Sequence, residues 1–234
     1  MTNKNDTQQN SFISHLAELR SRLIKSFVFF LISFVICYFF SEEIYKFLVK
    51  PYSDAVLESN LDRRLIFTAL HEAFLTYLKV AFFGSLFITS PIFLTQIWKF
   101  IAPGLYTNEK KALLPYLVAT PILFIFGGLI VYYFIMPLAI KFFLGFETIK
   151  DTGTLAIQLE AKVNEYLSLI MRLIFAFGLS FQLPVVLSLL ARIGVVNAQY
   201  LKERRKYVVV IIFAVAAILT PPDPITQIGL ALPL

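Results

Sequence analysis

Apolar residues along this chain come in long runs with almost no charge, without the polar face that a helix of a soluble protein carries. Four such runs, at 23–41, 73–97, 113–138 and 166–191, are separated by polar stretches. A helix needs roughly 20 residues to cross about 30 Å of hydrocarbon, so each is long enough to span a membrane with some tilt. Lys25, Lys79 and Arg172 fall inside or beside these runs, and their long stems let the charge reach the surface. Two shorter runs follow at 207–220 and 224–234. The apolar part of the fifth, Tyr207–Leu219, covers only about 20 Å at 1.5 Å per residue, and the sixth is about half a span. Short spans thin the bilayer or pack behind their neighbours. The pattern predicts an all-α polytopic membrane protein with four full spans, one short span and an incomplete sixth. The first run is expected to be retained, because its leader is long and contains Glu18, and no small-x-small cleavage site follows it.

The connections differ in size. Residues 42–72 and 139–165 are the larger loops. In the first, Glu42–Val49 reads as helical, Pro51 turns the chain, and the remainder to Glu72 is mostly polar. The second carries Gly145, Gly153 and a polar–apolar alternation through Leu159. These loops either cap the helix ends or act as simple linkers. The other connections are compact. Pro103-Gly104 is a turn signal, and Thr107 or Asn108 can cap a helix beginning near Glu109, whose carboxylate is favourable in a first turn. In the tail Ser14–Leu23, Leu16, Leu19 and Leu23 share a face and Glu18 and Arg22 are an i,i+4 pair, the pattern of an interfacial helix before the first span. Pro91, Pro115, Pro121, Pro137 and Pro184 lie within or at the ends of the apolar runs. Each removes a backbone donor and bends its helix, and bent helices can enclose a concave surface. Proline is also ordinary in membrane helices.

Composition agrees. The chain is 58% hydrophobic and 15% charged with mean hydropathy +0.75, against about 25% charged in soluble domains. Disorder, collagen, coiled coil and a disulfide-rich fold are excluded. The single Cys37 sits in an apolar run and reads as a small apolar side chain. The net charge of +6 resolves once it is divided between sides. The amino-terminal tail, the second-to-third and the fourth-to-fifth connections hold twelve basic and four acidic residues, whereas the larger loops and Asp223 hold seven basic and eleven acidic. The positive-inside rule places the amino terminus and both basic connections in the cytoplasm, and an even number of spans returns the carboxyl terminus there. A nucleic-acid surface would instead need a continuous basic face with aromatics in water, and the aromatics here lie in the spans.

No catalytic, nucleotide-binding or metal-ligand motif is visible, and His15 and His71 fall on opposite sides. The reading is a non-enzyme with no metal and no cofactor. Polar groups inside spans are costly and informative. Gln182 sits centrally in its run and hydrogen-bonds either another helix of this chain or a partner helix. Arg172 snorkels, and Asp223, in Thr220-Pro221-Pro222-Asp223-Pro224, caps the last helix on the outer side. Binding, transport or scaffolding remain. A small-solute secondary transporter, the alternative reading along with a scaffold that recognises no substrate, would show inverted repeats and a polar midplane site; the midplane here is nearly bare.

Four stretches carry a resemblance: His15-Leu16-Ala17-Glu18-Leu19-Arg20-Ser21-Arg22-Leu23; Pro91 to Glu109, with Gln96-Ile97-Trp98 and Phe100-Ile101-Ala102-Pro103-Gly104-Leu105-Tyr106; Ala176-Phe177-Gly178-Leu179-Ser180-Phe181 with Pro184; and Leu219-Thr220-Pro221-Pro222-Asp223. Their order over residues 12–234 is similar to the TatC family, the multi-spanning core and signal-peptide receptor of the bacterial twin-arginine translocase. The resemblance implies a concave six-helix bundle with short fifth and sixth helices, both termini cytoplasmic, an outer cap formed by 42–72 and 139–165, and residence in the bacterial inner membrane. It implies binding of Arg-Arg signal peptides, assembly with small single-span TatA/TatB-type partners, self-association in a multi-copy receptor complex, and export of folded proteins driven by the proton-motive force. By the same likeness, Glu109 reads the arginine pair and Glu18 is its companion in the tail. Phe100 supplies an aromatic contact, and Arg20 holds the tail or Glu18 in place. Pro51 and Asp223 match residues important on the outer side. A guanidinium pairs with carboxylate in a rigid fork that Lys reproduces poorly. At Gln182 many relatives have glutamate; glutamine keeps a hydrogen-bonding group there but cannot relay a proton, leaving contact with a partner helix as its implied role.

Overall fold

The computed structural model describes residues 4–58, 63–101, 110–147, 158–192, 194 and 196–234, with the side chains at 4–16, 100–101, 110–114, 198 and 200 outside that description. The described residues form nine α-helices and a π turn: α1 Lys4–Phe39, α2 Ser41–Glu58, α3 Glu72–Ile101, α4 Lys110–Ile130, the π turn Val131–Ile135, α5 Met136–Leu144, α6 Val163–Ser180, α7 Leu183–Arg192, α8 Ala198–Leu219 and α9 Pro224–Ala231. The expected turn at Pro103-Gly104, the cap at Thr107 or Asn108, and Gly153 lie outside the described residues. Among the described residues, four segments are long and apolar enough to cross a membrane: Ala17–Phe39, Glu72–Lys99, Pro115–Leu144 and Val163–Arg192.

The tail and first span form one helix rather than an interfacial helix followed by a span. Residues 4–39 contain no glycine or proline to break them. The reading of Pro51 as a turn is corrected: α2 runs through it to Glu58, and Pro51 is buried. A proline inside a helix cannot donate to the carbonyl four residues back. That carbonyl, on Phe47, instead accepts a 2.8 Å hydrogen bond from the Tyr132 hydroxyl. The next, on Leu48, accepts one of 3.0 Å from the Tyr166 hydroxyl. The Phe47 and Tyr132 rings stack with centroids 4.3 Å apart. Tertiary donors therefore support the helix where its own ladder is interrupted.

Tyr132 lies in the π turn that joins α4 and α5 into a continuous rod. A π turn adds a residue to one turn of a helix and shifts the faces on either side of it. The fourth apolar run is interrupted at Phe181-Gln182, between α6 and α7, just before Pro184.

Helix α6 is the centre of the core, with Leu167, Ile170, Leu173 and Phe177 each at most 1% exposed. Its approach to α4 depends on two glycines. A Cβ at Gly127 would lie 2.8 Å from the Phe177 carbonyl oxygen, and one at Gly178 would lie 2.7 Å from the Phe124 ring. Small residues allow backbones to come close, a main source of packing energy between helices in lipid.

The two ends of the bundle are chemically distinct. One end, the cap face, joins the two larger loops. Ile66 N–H donates to Ala161 and Val163 N–H donates to Ile66, both at 3.1 Å. The Arg63 guanidinium binds both oxygens of Glu147. Glu72 folds back over the start of α3 to accept hydrogen bonds from the Thr68 and Ala69 amides and the Thr68 hydroxyl. The opposite end, the basic face, holds the early part of α1, the end of α3 and the α7–α8 connection. There Trp98, Val185 and Leu189 pack with Tyr116 and Leu117.

Candidate functional site

Glu18 and Arg22 lie one turn apart on α1, so their side chains share a face. Arg22 donates from Nη2 at 2.6 Å and from Nε at 3.0 Å, both to Glu18 Oε1. Its remaining guanidinium nitrogen, Nη1, donates at 3.0 Å to Gln96 Oε1 on α3. One guanidinium thus links the carboxylate on α1 to the end of the second apolar helix. Both side chains are part-exposed, 27% for Arg22 and 42% for Glu18. Water reaches the pair, and an incoming cation can reach it too.

This is a carboxylate on a face otherwise rich in Lys and Arg. A cationic ligand would be repelled by the mean charge of that face and attracted only at the carboxylate, within a Debye length of about 8 Å at physiological salt. Recognition there is local, and a planar fork of donors suits it better than a point charge. Arg20 is exposed on the same helix, two positions from each member of the pair. Phe100 falls in the last turn of α3, and its side chain lies outside the described residues, as does Glu109. The structure therefore brings Glu18, Arg22 and Gln96 together. The i,i+4 spacing marked the first pair, but only the fold brings Gln96, 74 positions away, against them.

The other candidate positions are distant from this face. Pro51 is held in the cap half of the molecule by Tyr132 and Tyr166, which sequence reasoning did not select. Two tyrosines among eleven offer no local mark of that role. Asp223 is 1% exposed and occupies the N-cap of α9. It accepts from the Thr226 amide at 2.8 Å and from the Thr226 hydroxyl. Gln182 is 6% exposed at the α6–α7 break. Its Nε2 donates at 3.0 Å to the Thr120 carbonyl on α4 and more weakly, at 3.4 Å, to Gly178. Its Oε1 and the Thr120 hydroxyl are both buried without a hydrogen-bond partner among the described residues. No group of three or more metal-ligating side chains occurs among the described residues.

Outside the apolar spans, Glu147 sits in a defined ionic environment. The Arg63 guanidinium and the Leu159 amide hold its carboxyl below the usual carboxylate range, against the opposing effect of burial. This network supports the cap and has no access to the basic face.

Known proteins give the same picture over nearly the whole length. Residues 14–233 match the family model for the Sec-independent protein translocase protein TatC. The Sec-independent protein translocase protein TatC of Magnetococcus marinus is 48% identical over 97% of this chain and 80% of its own length. The Rickettsia prowazekii protein of the same name is 46% identical over 96% and 88%. A crystal structure of the twin-arginine translocase receptor TatC superposes with a TM-score of 0.79 at 37% identity, covering 94% of this chain and 93% of the other.

Proposed function

This chain belongs to the TatC family and is a core subunit of the twin-arginine translocase; from that premise we propose that its basic face receives the paired arginines of a signal peptide. It is a polytopic membrane protein and a receptor and scaffold subunit, not an enzyme. In the proposed arrangement both termini and the basic face lie in the cytoplasm, the cap loops at 42–72 and 139–165 lie outside, and the six spans form a concave bundle in a bacterial inner membrane. Glu18 and Glu109 accept one guanidinium each, Phe100 packs against the signal's apolar part, and Arg20 steadies the tail. Pro51, Gln182 and Asp223 serve the shape of the bundle and contacts with small single-span TatA/TatB-type partners. Copies of the receptor then associate, and folded cargo crosses at the expense of the proton-motive force.

The observation that supports this reading most is the Arg22–Glu18 pair. The carboxylate already holds a guanidinium by two donors on one oxygen, so its position and exposure suit the group that a twin-arginine signal brings. Arg22 then acts as an internal occupant that yields, or shares the carboxylate, when the ligand arrives. Tethering to Gln96 keeps Arg22 near the site after exchange.

The test is fluorescence anisotropy of a labelled Arg-Arg signal peptide on the purified protein, with a Lys-Lys peptide as control. Glu18→Ala and Glu109→Ala are each expected to weaken the Arg-Arg peptide by about tenfold or more, the worth of a charge-assisted hydrogen bond. The Lys-Lys peptide should bind weakly to every form. Undiminished affinity in both variants, with melting temperatures unchanged, refutes the assignment.

A further inference from the structure

A groove between α1, α3 and α6 has no role in the reading above. Its volume is about 500 Å³, and Phe34, Phe82, Phe83 and Leu86 form much of its wall. Two cations also line it: Lys79 from α3 and Arg172 from α6. They lie seven and nine residues past the cap-face ends of their helices, about 10 and 14 Å along the axes at 1.5 Å per residue. Both are within segments apolar enough to cross a membrane.

A charge at such a depth needs a partner or a route to water. Lys79 Nζ has a neutral partner, Asn164 Oδ1, at 2.6 Å. Arg172 is exposed and has no ion-pair or hydrogen-bond partner among the described residues. The two acids at the same helix ends are engaged elsewhere. Glu72 accepts from Thr68 and Ala69, and Glu165 lies 3.6 Å from Lys162. The groove therefore presents two positive charges at the rim of an apolar trough, on the half of the molecule whose loops are net acidic. Steering of solutes or protein does not account for an aromatic and aliphatic wall beside two cations, whereas one amphiphile with an anionic head matches both parts.

We propose that this groove seats one anionic phospholipid, with an acyl chain along Phe34, Phe82, Phe83 and Leu86 and its phosphodiester between Lys79 Nζ and the Arg172 guanidinium. Asn164 fixes the lysine, and the planar guanidinium offers two donors to phosphate oxygens. The lipid fills space between α1 and the α3–α6 pair that no side chain of the described chain occupies, and it neutralises two cations that have no acidic partner among the described residues. The site is independent of the signal-receiving face, since it lies toward the opposite end of the bundle.

The experiment is native mass spectrometry of the full-length protein extracted from nanodiscs of phosphatidylglycerol or of phosphatidylcholine with the same chains. One retained phosphatidylglycerol per protein is expected, at least about fivefold over phosphatidylcholine, because a cation near a membrane surface contributes roughly that factor. Lys79→Gln and Arg172→Gln should each reduce retention by a similar factor, while Arg172→Lys retains most of it. Leu78→Trp, which narrows the groove without altering either charge, is the second handle if a charge variant misfolds, and it should also release the lipid. Equal retention of the two lipids, or retention indifferent to both Arg172→Gln and Leu78→Trp, overturns the proposal. So does a photo-crosslinker at position 78 that captures a single-span protein helix in native membranes instead of lipid. Soluble glycerol phosphate should not compete; effective competition would mean that the head alone is bound and the groove is irrelevant.

Discussion

Arg63 and Glu147 face each other across the cap, 84 positions apart in the chain, with Nη2 2.9 Å from Oε2 and Nε 3.1 Å from Oε1. Both side chains are largely buried, 13% and 7% exposed. The pair is a bidentate fork, and it closes residues 63–66 against the segment at 158–163. Its stability contribution depends on pH in a defined direction. Glu147 has a folded-state pKa below the ordinary carboxylate value. A group depressed on folding contributes stability above its unfolded pKa, about 4.3, and loses it as pH falls through the lower folded value. Glu147→Gln should therefore lower the stability at pH 7 by on the order of 2 kcal/mol, read as a lower melting temperature. The gap between variant and parent should close as pH falls below 4. Melting curves in detergent across that pH range check it; a gap that stays constant would mean that the carboxylate charge is not what matters.

The α4–α6 contact makes a steric prediction. A methyl at Gly127 meets a backbone carbonyl, that of Phe177, which cannot rotate aside. A methyl at Gly178 meets the fully buried Phe124 ring, which can shift only by disturbing its neighbours Phe87 and Phe175. Gly127→Ala should cost about 1–3 kcal/mol, typical of overpacking. Gly178→Ala combined with Phe124→Leu should recover part of the loss from Gly178→Ala alone, whereas Phe124→Leu should not rescue Gly127→Ala. Thermal stability of the four variants distinguishes the backbone clash from the ring clash.

Much of this was legible before the fold was known, for reasons that differ by element. The four long apolar runs follow from hydrocarbon thickness alone, which is why their helices appear at 17–39, 72–99, 115–144 and 163–192. The Glu18–Arg22 pair was visible because helical spacing is local. Its third member, Gln96, was not, because only packing of α1 on α3 brings it there. Pro51 was read as a turn because its missing N–H is a local fact, while the hydroxyls of Tyr132 and Tyr166 that compensate are supplied by distant helices. The π turn at 131–135 leaves no mark in composition, since Val-Tyr-Tyr-Phe-Ile is equally compatible with an ordinary helix. The site residues Glu109 and Phe100 were named from likeness, and their side chains lie outside the described residues.

Asp223 allows capping and charge to be separated. Its carboxylate serves the Thr226 amide and hydroxyl, and Thr226 is fully buried. Asparagine is as good an N-cap as aspartate, whereas alanine costs about 1 kcal/mol at such a position. Loss of the hydroxyl's partner adds to that when buried. Asp223→Ala should therefore destabilise the protein by about 2 kcal/mol and Asp223→Asn by less than half as much. Equal destabilisation by the two would show that charge, and not the cap, is what the position requires.

Pro51 and Tyr132 are coupled through an atom that belongs to neither, the Phe47 carbonyl oxygen. With proline at 51 that oxygen lacks its helical donor, and the Tyr132 hydroxyl supplies one. Tyr132→Phe should then cost about 1 kcal/mol, because a part-buried acceptor loses its donor while the ring stack on Phe47 is kept. Alanine at 51 restores an N–H and removes the ring clash with the same carbonyl. In that background the hydroxyl becomes redundant, and Tyr132→Phe should cost about 1 kcal/mol less than in the parent. A double-mutant cycle on Pro51→Ala and Tyr132→Phe, read by melting temperature, measures this coupling directly. Independent effects would mean that the hydroxyl does not stand in for the donor that proline lacks. Coupling of the expected sign would assign the open Phe47 carbonyl to Pro51 and its satisfaction to Tyr132.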